Sequence, residues 1–118
     1  MDIRDVLQAP IEHEPRRPNA ASDFLRRVAD EIEVLEHRTH AEQFVRVLYA
    51  GAFGIRRAVD IQPASSDMLR IVVAESDGSQ HVVISPLSQC SFMLSIVTPS
   101  AGEPREKVIL GFAQPGKT

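Results

Sequence analysis

Near Gly51 the apolar residues of this chain change their spacing from a period of about 3.6 to a period of two, and no other feature narrows the possible folds as much. Before the change, Phe24, Leu25, Val28, Ile32 and Leu35 form one helical stripe, with Ser22 as an N-cap and Asp23 in the first turn, where the helix dipole favours an acid. A second set, Ala41, Phe44, Val45, Leu48 and Ala52, would fall on the opposite side if the same helix continued. One helix would then have to bury one face in its first half and the other in its second. Thr39-His40-Ala41-Glu42 has the pattern of a capping box, which offers a break between the two stripes. The spacing therefore predicts helices over 22–37 and 40–51, or one kinked helix, ended by Gly51 and Gly54.

After the change the chain reads as strands. IRRAVDIQ (55–62) is followed by Pro63-Ala64-Ser65-Ser66, and MLRIVVAE (68–75) leads into the Asp77-Gly78 turn. HVVIS (81–85), QCSFMLSIVT (89–98) and REKVILGF (105–112) complete the set. Short turns between consecutive strands predict an antiparallel meander. The expected fold class is α+β, with two N-terminal helices or one kinked helix packed on a four- to five-stranded antiparallel meander sheet. Alternation puts Leu69, Ile71, Val73, Phe92, Leu94 and Leu110 on the core face, and Val72, Val83, Met93, Val97 and Ile109 on the outer one. That outer set is more apolar than a solvated sheet face usually is, so it is the candidate interface.

Residues 1–21 read as a flexible leader, since Pro10, Pro15 and Pro18 interrupt any helix; Ile3, Val6 and Leu7 are its only apolar cluster of note. A single domain over 22–113 and a flexible tail over 114–118 follow. The 118 residues are 43% hydrophobic and 25% charged, an ordinary globular composition. A net charge of −3 argues against a nucleic-acid partner, and acidic residues surround the arginine pairs 16–17, 26–27 and 56–57. No run approaches the roughly 20 apolar residues of a membrane-spanning helix. One cysteine, Cys90, and an acidic N-terminus without a signal-peptide pattern point to the cytoplasm.

The stretch EVLEHRTHAEQF (33–44) carries the densest group of metal-capable side chains, with Glu33, Glu36, His37 and His40 at helical spacing. It lacks both the HExxH zinc pattern and the paired Glu-x-x-His motifs of di-iron bundles, so exposed Glu–His pairing along a helix is the simpler reading. Phosphoryl acceptance by His37 or His40 would need an exposed histidine on a four-helix stem, which short helices do not build. A Cys90–His81 dyad lacks an acid partner, and Cys90 alternates in phase with buried positions. Glu12-His13-Glu14 lies in the leader, where nothing preorganises a site. No phosphate-binding glycine loop, nucleophile elbow or CxxC pair occurs. The expectation is a protein without cofactor and without catalytic residues.

A helix followed by an antiparallel meander resembles, in architecture, the cystatin-like and nuclear-transport-factor-like cone folds, and small dimeric secretion-chaperone and adaptor domains. The likeness carries no motif and so implies a fold only. The functional expectation is a homodimeric interaction or adaptor domain with a protein partner. The alternative is a small-molecule site or enzyme in a cone-like pocket between helix and sheet, with Tyr49, Asp60 and His81 as its polar groups.

Overall fold

The computed structural model describes residues 20–111, and the expected tail and all but the last two residues of the expected leader lie outside the described residues. One helix, α1 (Ala20–Glu36), precedes β1 (Phe44–Gly51), β2 (Gly54–Ser65), β3 (Met68–Ala74), β4 (Gln80–Pro86), β5 (Ser91–Val97) and the two-residue β6 (Ile109–Leu110). A short 3-10 turn, Leu87–Gln89, joins β4 to β5. The α+β class holds, with one helix among the described residues rather than two and a five-strand path extended by β6.

The expected second helix is β1. The run FVRVLYAG satisfies both periods: Phe44, Val45 and Leu48 suit a helical stripe, while Val45, Val47 and Tyr49 alternate. The strand wins because its inward residues are two valines and a tyrosine, which fit a pleated surface, and because strands wait on both sides. β5 pairs along β1 from Phe44↔Val97 to Ala50↔Ser91, and β2 pairs from Leu48↔Arg57 to Gly51↔Gly54. The expected capping box is corrected with it. The Thr39 hydroxyl donates to the Glu36 carbonyl at 2.8 Å, closing α1 instead of opening another helix. The residue that reaches back is Gln43, whose Oε1 accepts from the His40 backbone N–H at 3.0 Å.

Strand order is β4-β3-β2-β1-β5, so β1 to β4 form the expected meander while β5 returns beside β1. β2 pairs with β1 only at its start and with β3 from Arg57 onward. β6 then lies parallel to β2, at Asp60↔Ile109 and Ile61↔Leu110, in the space left as β1 diverges. Two register shifts, between Ala58 and Asp60 and between Pro63 and Ser65, leave Val59 and Ala64 as extra residues on β2. Such bulges bend a strand and increase its twist. Pro63 is tolerated beside the second bulge, past the part of β2 that β1 and β6 cover.

The bend is required by the connection from β4 to β5. Pro86 stands opposite Met68, which pairs with Ser65 at one end of β2; Ser91 stands opposite Ala50, which pairs with Ile55 at the other end. The intervening residues 87–90 reach at most about 18 Å, whereas a straight strand from Ile55 to Ser65 would span about 33 Å. The sheet therefore curls. It curls toward α1, because Leu87 and Cys90 of this connection pack against the core. The core consists of Ala21 and Leu25 from α1 with Val47, Tyr49, Ala58, Ile61, Leu69, Ile71 and Val73 from the sheet. Phe24 and Ile32 pack on it from the helix, and Phe92, Leu94 and Leu110 from the later strands. The β2–β3 turn ties the ends together: the Ser66 carbonyl accepts from Ala21 N–H at 2.9 Å, and the Asp67 carbonyl from Leu87 N–H at 2.7 Å.

Candidate functional site

Of the residues expected on the outer sheet face, Val72, Met93, Val97 and Ile109 are placed there. Their cross-strand partners are Val82 for Val72, Leu48 for Met93, Phe44 for Val97 and Asp60 for Ile109; Phe44, at the start of β1, is itself buried. Val83 is not. It pairs with buried Ile71 and packs on the core, because the five-residue turn 75–79 sets a register in which Val82 and Ile84 point outward. Those two residues, with Met93 and Ile109, are each about half exposed.

The outer face is not uniformly apolar. Arg46 on β1 donates through Nε and Nη2 to both carboxylate oxygens of Glu106, at 3.0 and 2.6 Å, and Arg57 Nη1 donates to the same carboxylate at 3.2 Å. Glu106 thus clasps β1 and β2 where they separate. Its hydrogen bond raises the pKa of Arg46 above the ordinary guanidinium value, against the opposing effect of burial. Arg57 Nε is buried there without a hydrogen-bond partner.

The polar groups proposed for a pocket stand on three different surfaces. Tyr49 is in the core, its ring 5.4 Å from that of Phe92. Asp60 accepts from Gln62 Nε2 at 3.0 Å and shares the outer face with Ile109. His81 sits at the rim of the sheet, its Nε2 3.3 Å from Glu75, which also binds Arg56. A groove of about 440 Å³ does separate the second half of α1 from β1 and the 105–110 segment, but none of the three lines it. The polar side chains that do line it are engaged within the protein: Glu36 with Lys107, Glu106 with Arg46, Thr39 with the Glu36 carbonyl, and Arg105 with the Ala41 carbonyl.

The histidines of EVLEHRTHAEQF are likewise engaged locally. His37 Nδ1 donates to the Glu33 carbonyl at 2.8 Å, and the chain turns after Glu36, which takes His40 off the helix. Among the described residues no three His, Cys, Asp or Glu side chains are grouped as metal ligands. Cys90 is directed at the Pro86 carbonyl, 3.3 Å from Sγ, while His81 faces Glu75, so the two have different partners. Burial pushes the Cys90 thiol above its ordinary pKa, partly offset by a hydrogen bond to Ser85, and a protonated thiol is a poor nucleophile. No described helix is long and apolar enough to cross a membrane.

Alternation alone misses one feature of the fold. From Gln80 to Gly102 the chain contains no Asp, Glu, Lys or Arg. That segment supplies β4 and β5, the two outermost strands of the five-strand path. Edge strands usually carry charge, because their unpaired backbone groups invite another strand. The run can be read directly from the sequence; that it forms both edges follows only from the return of β5 beside β1. No family model, curated protein or solved structure matches this chain.

Proposed function

We propose that this chain is a non-catalytic interaction domain that works as a homodimer in the cytoplasm, with protein rather than nucleic acid as any further partner. The observation that carries this reading is the charge-free character of both sheet edges, together with the exposed apolar residues Val82, Ile84, Met93 and Ile109. Surface of this kind is most commonly covered by a second copy across a two-fold axis. The contact set proposed on the sheet is Met93 and Val97 on the edge strand β5; Val72 and Ile109 share their outward face from β3 and β6. The engaged polar lining of the groove lends correspondingly less to a small-molecule reading.

Light scattering tests the proposal. The wild-type protein is expected at twice the 13.0 kDa of the chain, and the Met93→Glu/Val97→Glu variant at the chain mass with its far-ultraviolet spectrum retained. A wild-type protein that stays monomeric at high micromolar concentration overturns it.

A further inference from the structure

Resting on the homodimer reading, we infer which surface the second copy occupies: two copies of β5 pair edge to edge, antiparallel, and join the two sheets across a two-fold axis at Leu94. β5 has β1 on one side only, and no further backbone hydrogen bond reaches Ser91–Val97 among the described residues. Its sequence, SFMLSIV, contains no charge, no proline and no glycine, and its register with β1 runs without a shift. The usual devices that keep an edge strand from pairing are therefore missing.

Absence of charge specifically suits a second copy. In an isologous antiparallel pair, the residue on the axis faces itself and its neighbours face one another, so any charge near the axis meets its own duplicate. An unrelated strand would impose no such requirement. Complete overlap of the seven-residue strand with its copy puts Leu94 on the axis. Phe92 then stands opposite the partner's Ile96 on the core-facing side, and Met93 opposite the partner's Ser95 on the outer side.

The core-facing side is also incomplete at this edge. Phe24 brings α1 to β5, its ring centroid 6.0 Å from that of Phe92. Further along the same stripe Ile96 remains 38% exposed, although its cross-strand partner Val45 is buried. A second β5 would continue the apolar stripe over Ile96. The opposite edge is better guarded. β4 has the His81–Glu75 pair at one end and Pro86, which has no N–H to donate, at the other.

Ser95→Glu tests the pairing in the full chain. Ser95 lies opposite Arg46, which already holds Glu106, so within one protomer the new carboxylate joins a cluster of two cations and one acid with Arg57, whereas the dimer would hold two new carboxylates diagonally across the axis. Ile84→Glu, opposite Arg70, makes the same change on β4, the other exposed apolar edge, which β5 pairing leaves uncovered. The expected result is a folded monomer for Ser95→Glu and a dimer for Ile84→Glu by light scattering. In the wild-type protein, amide hydrogen exchange over 91–97 is expected to slow as concentration rises through the monomer–dimer transition, while 80–86 stays unchanged. A folded Ser95→Glu that remains dimeric, or protection that appears on 80–86 instead, overturns β5 pairing and leaves the homodimer standing. Wild-type protein that is monomeric throughout, with exchange independent of concentration, overturns both. Should Ser95→Glu fail to fold, wild-type exchange decides alone.

Discussion

Glu106 shows how one side chain can hold open a feature of the fold. Its carboxylate meets Arg46 from β1 and Arg57 from β2, on either side of the gap that the segment before β6 enters. The carboxylate is mostly buried and Arg46 is partly so, so the charge-assisted bonds are less screened than those of a surface pair. Glu106→Gln is expected to lower stability by about 1–2 kcal/mol, seen as a lower urea midpoint at unchanged slope. None of this is legible in the sequence, where Glu106 is one of several charges in a loop-like stretch. Its partners lie 60 and 49 positions away, and only the divergence of two strands brings them together. Cys90, by contrast, is legible in part: its phase with Phe92 and Leu94 predicts burial, and it packs against the core while staying only half-buried.

At the scale of elements, local chemistry sets the turns. Between β1 and β2 the chain reverses through Ala52 and Phe53, and Gly54 takes a φ of 101°, which a side chain disfavours. A Cβ there would also stand 3.2 Å from Arg56 Nη1. Gly54→Ala is expected to cost about 1–2 kcal/mol, measured by thermal unfolding, without loss of the strand signal. The β3–β4 turn depends instead on Asp77, whose Oδ1 accepts from both the backbone N–H and the hydroxyl of Ser79, at 2.9 and 2.7 Å. These bonds hold the carboxyl below its usual pKa. The turn's contribution is accordingly present above the ordinary aspartate range and is lost as pH falls through the lowered value. Asp77-Gly78 marks this turn in the sequence, whereas β1 is misread there as helix. The reason is physical: in FVRVLYAG the apolar residues are dense enough to satisfy either period, and the partners that select the strand come from elsewhere in the chain.

At the scale of the molecule, α1 and the curled sheet share a single core. Leu25 is fully buried against strand residues, so neither layer keeps an apolar interior without the other. Tyr49, the only tyrosine in a chain without tryptophan, lies in that same core and reports on it. Leu25→Ala is expected to destabilise by about 2–5 kcal/mol. Tyrosine fluorescence and far-ultraviolet circular dichroism should shift to the same lower midpoint, as one cooperative unit requires. Separate midpoints would mean that helix and sheet unfold independently. The proposed dimer belongs to this scale too, since β5 becomes an edge only through the order of the whole sheet.

By itself, the amino-acid sequence determined the α+β class, the helix and its apolar stripe, the strands β3, β4 and β5 and the Asp77-Gly78 turn, because those depend on residues close together along the chain. Only the tertiary structure decided that residues 44–51 are a strand, that β2 bends at two bulges, and that β5 lies beside β1. Each of these depends on pairing between distant segments, where backbone hydrogen bonds and burial across the sheet outweigh the local preference for a helical or a straight extended chain.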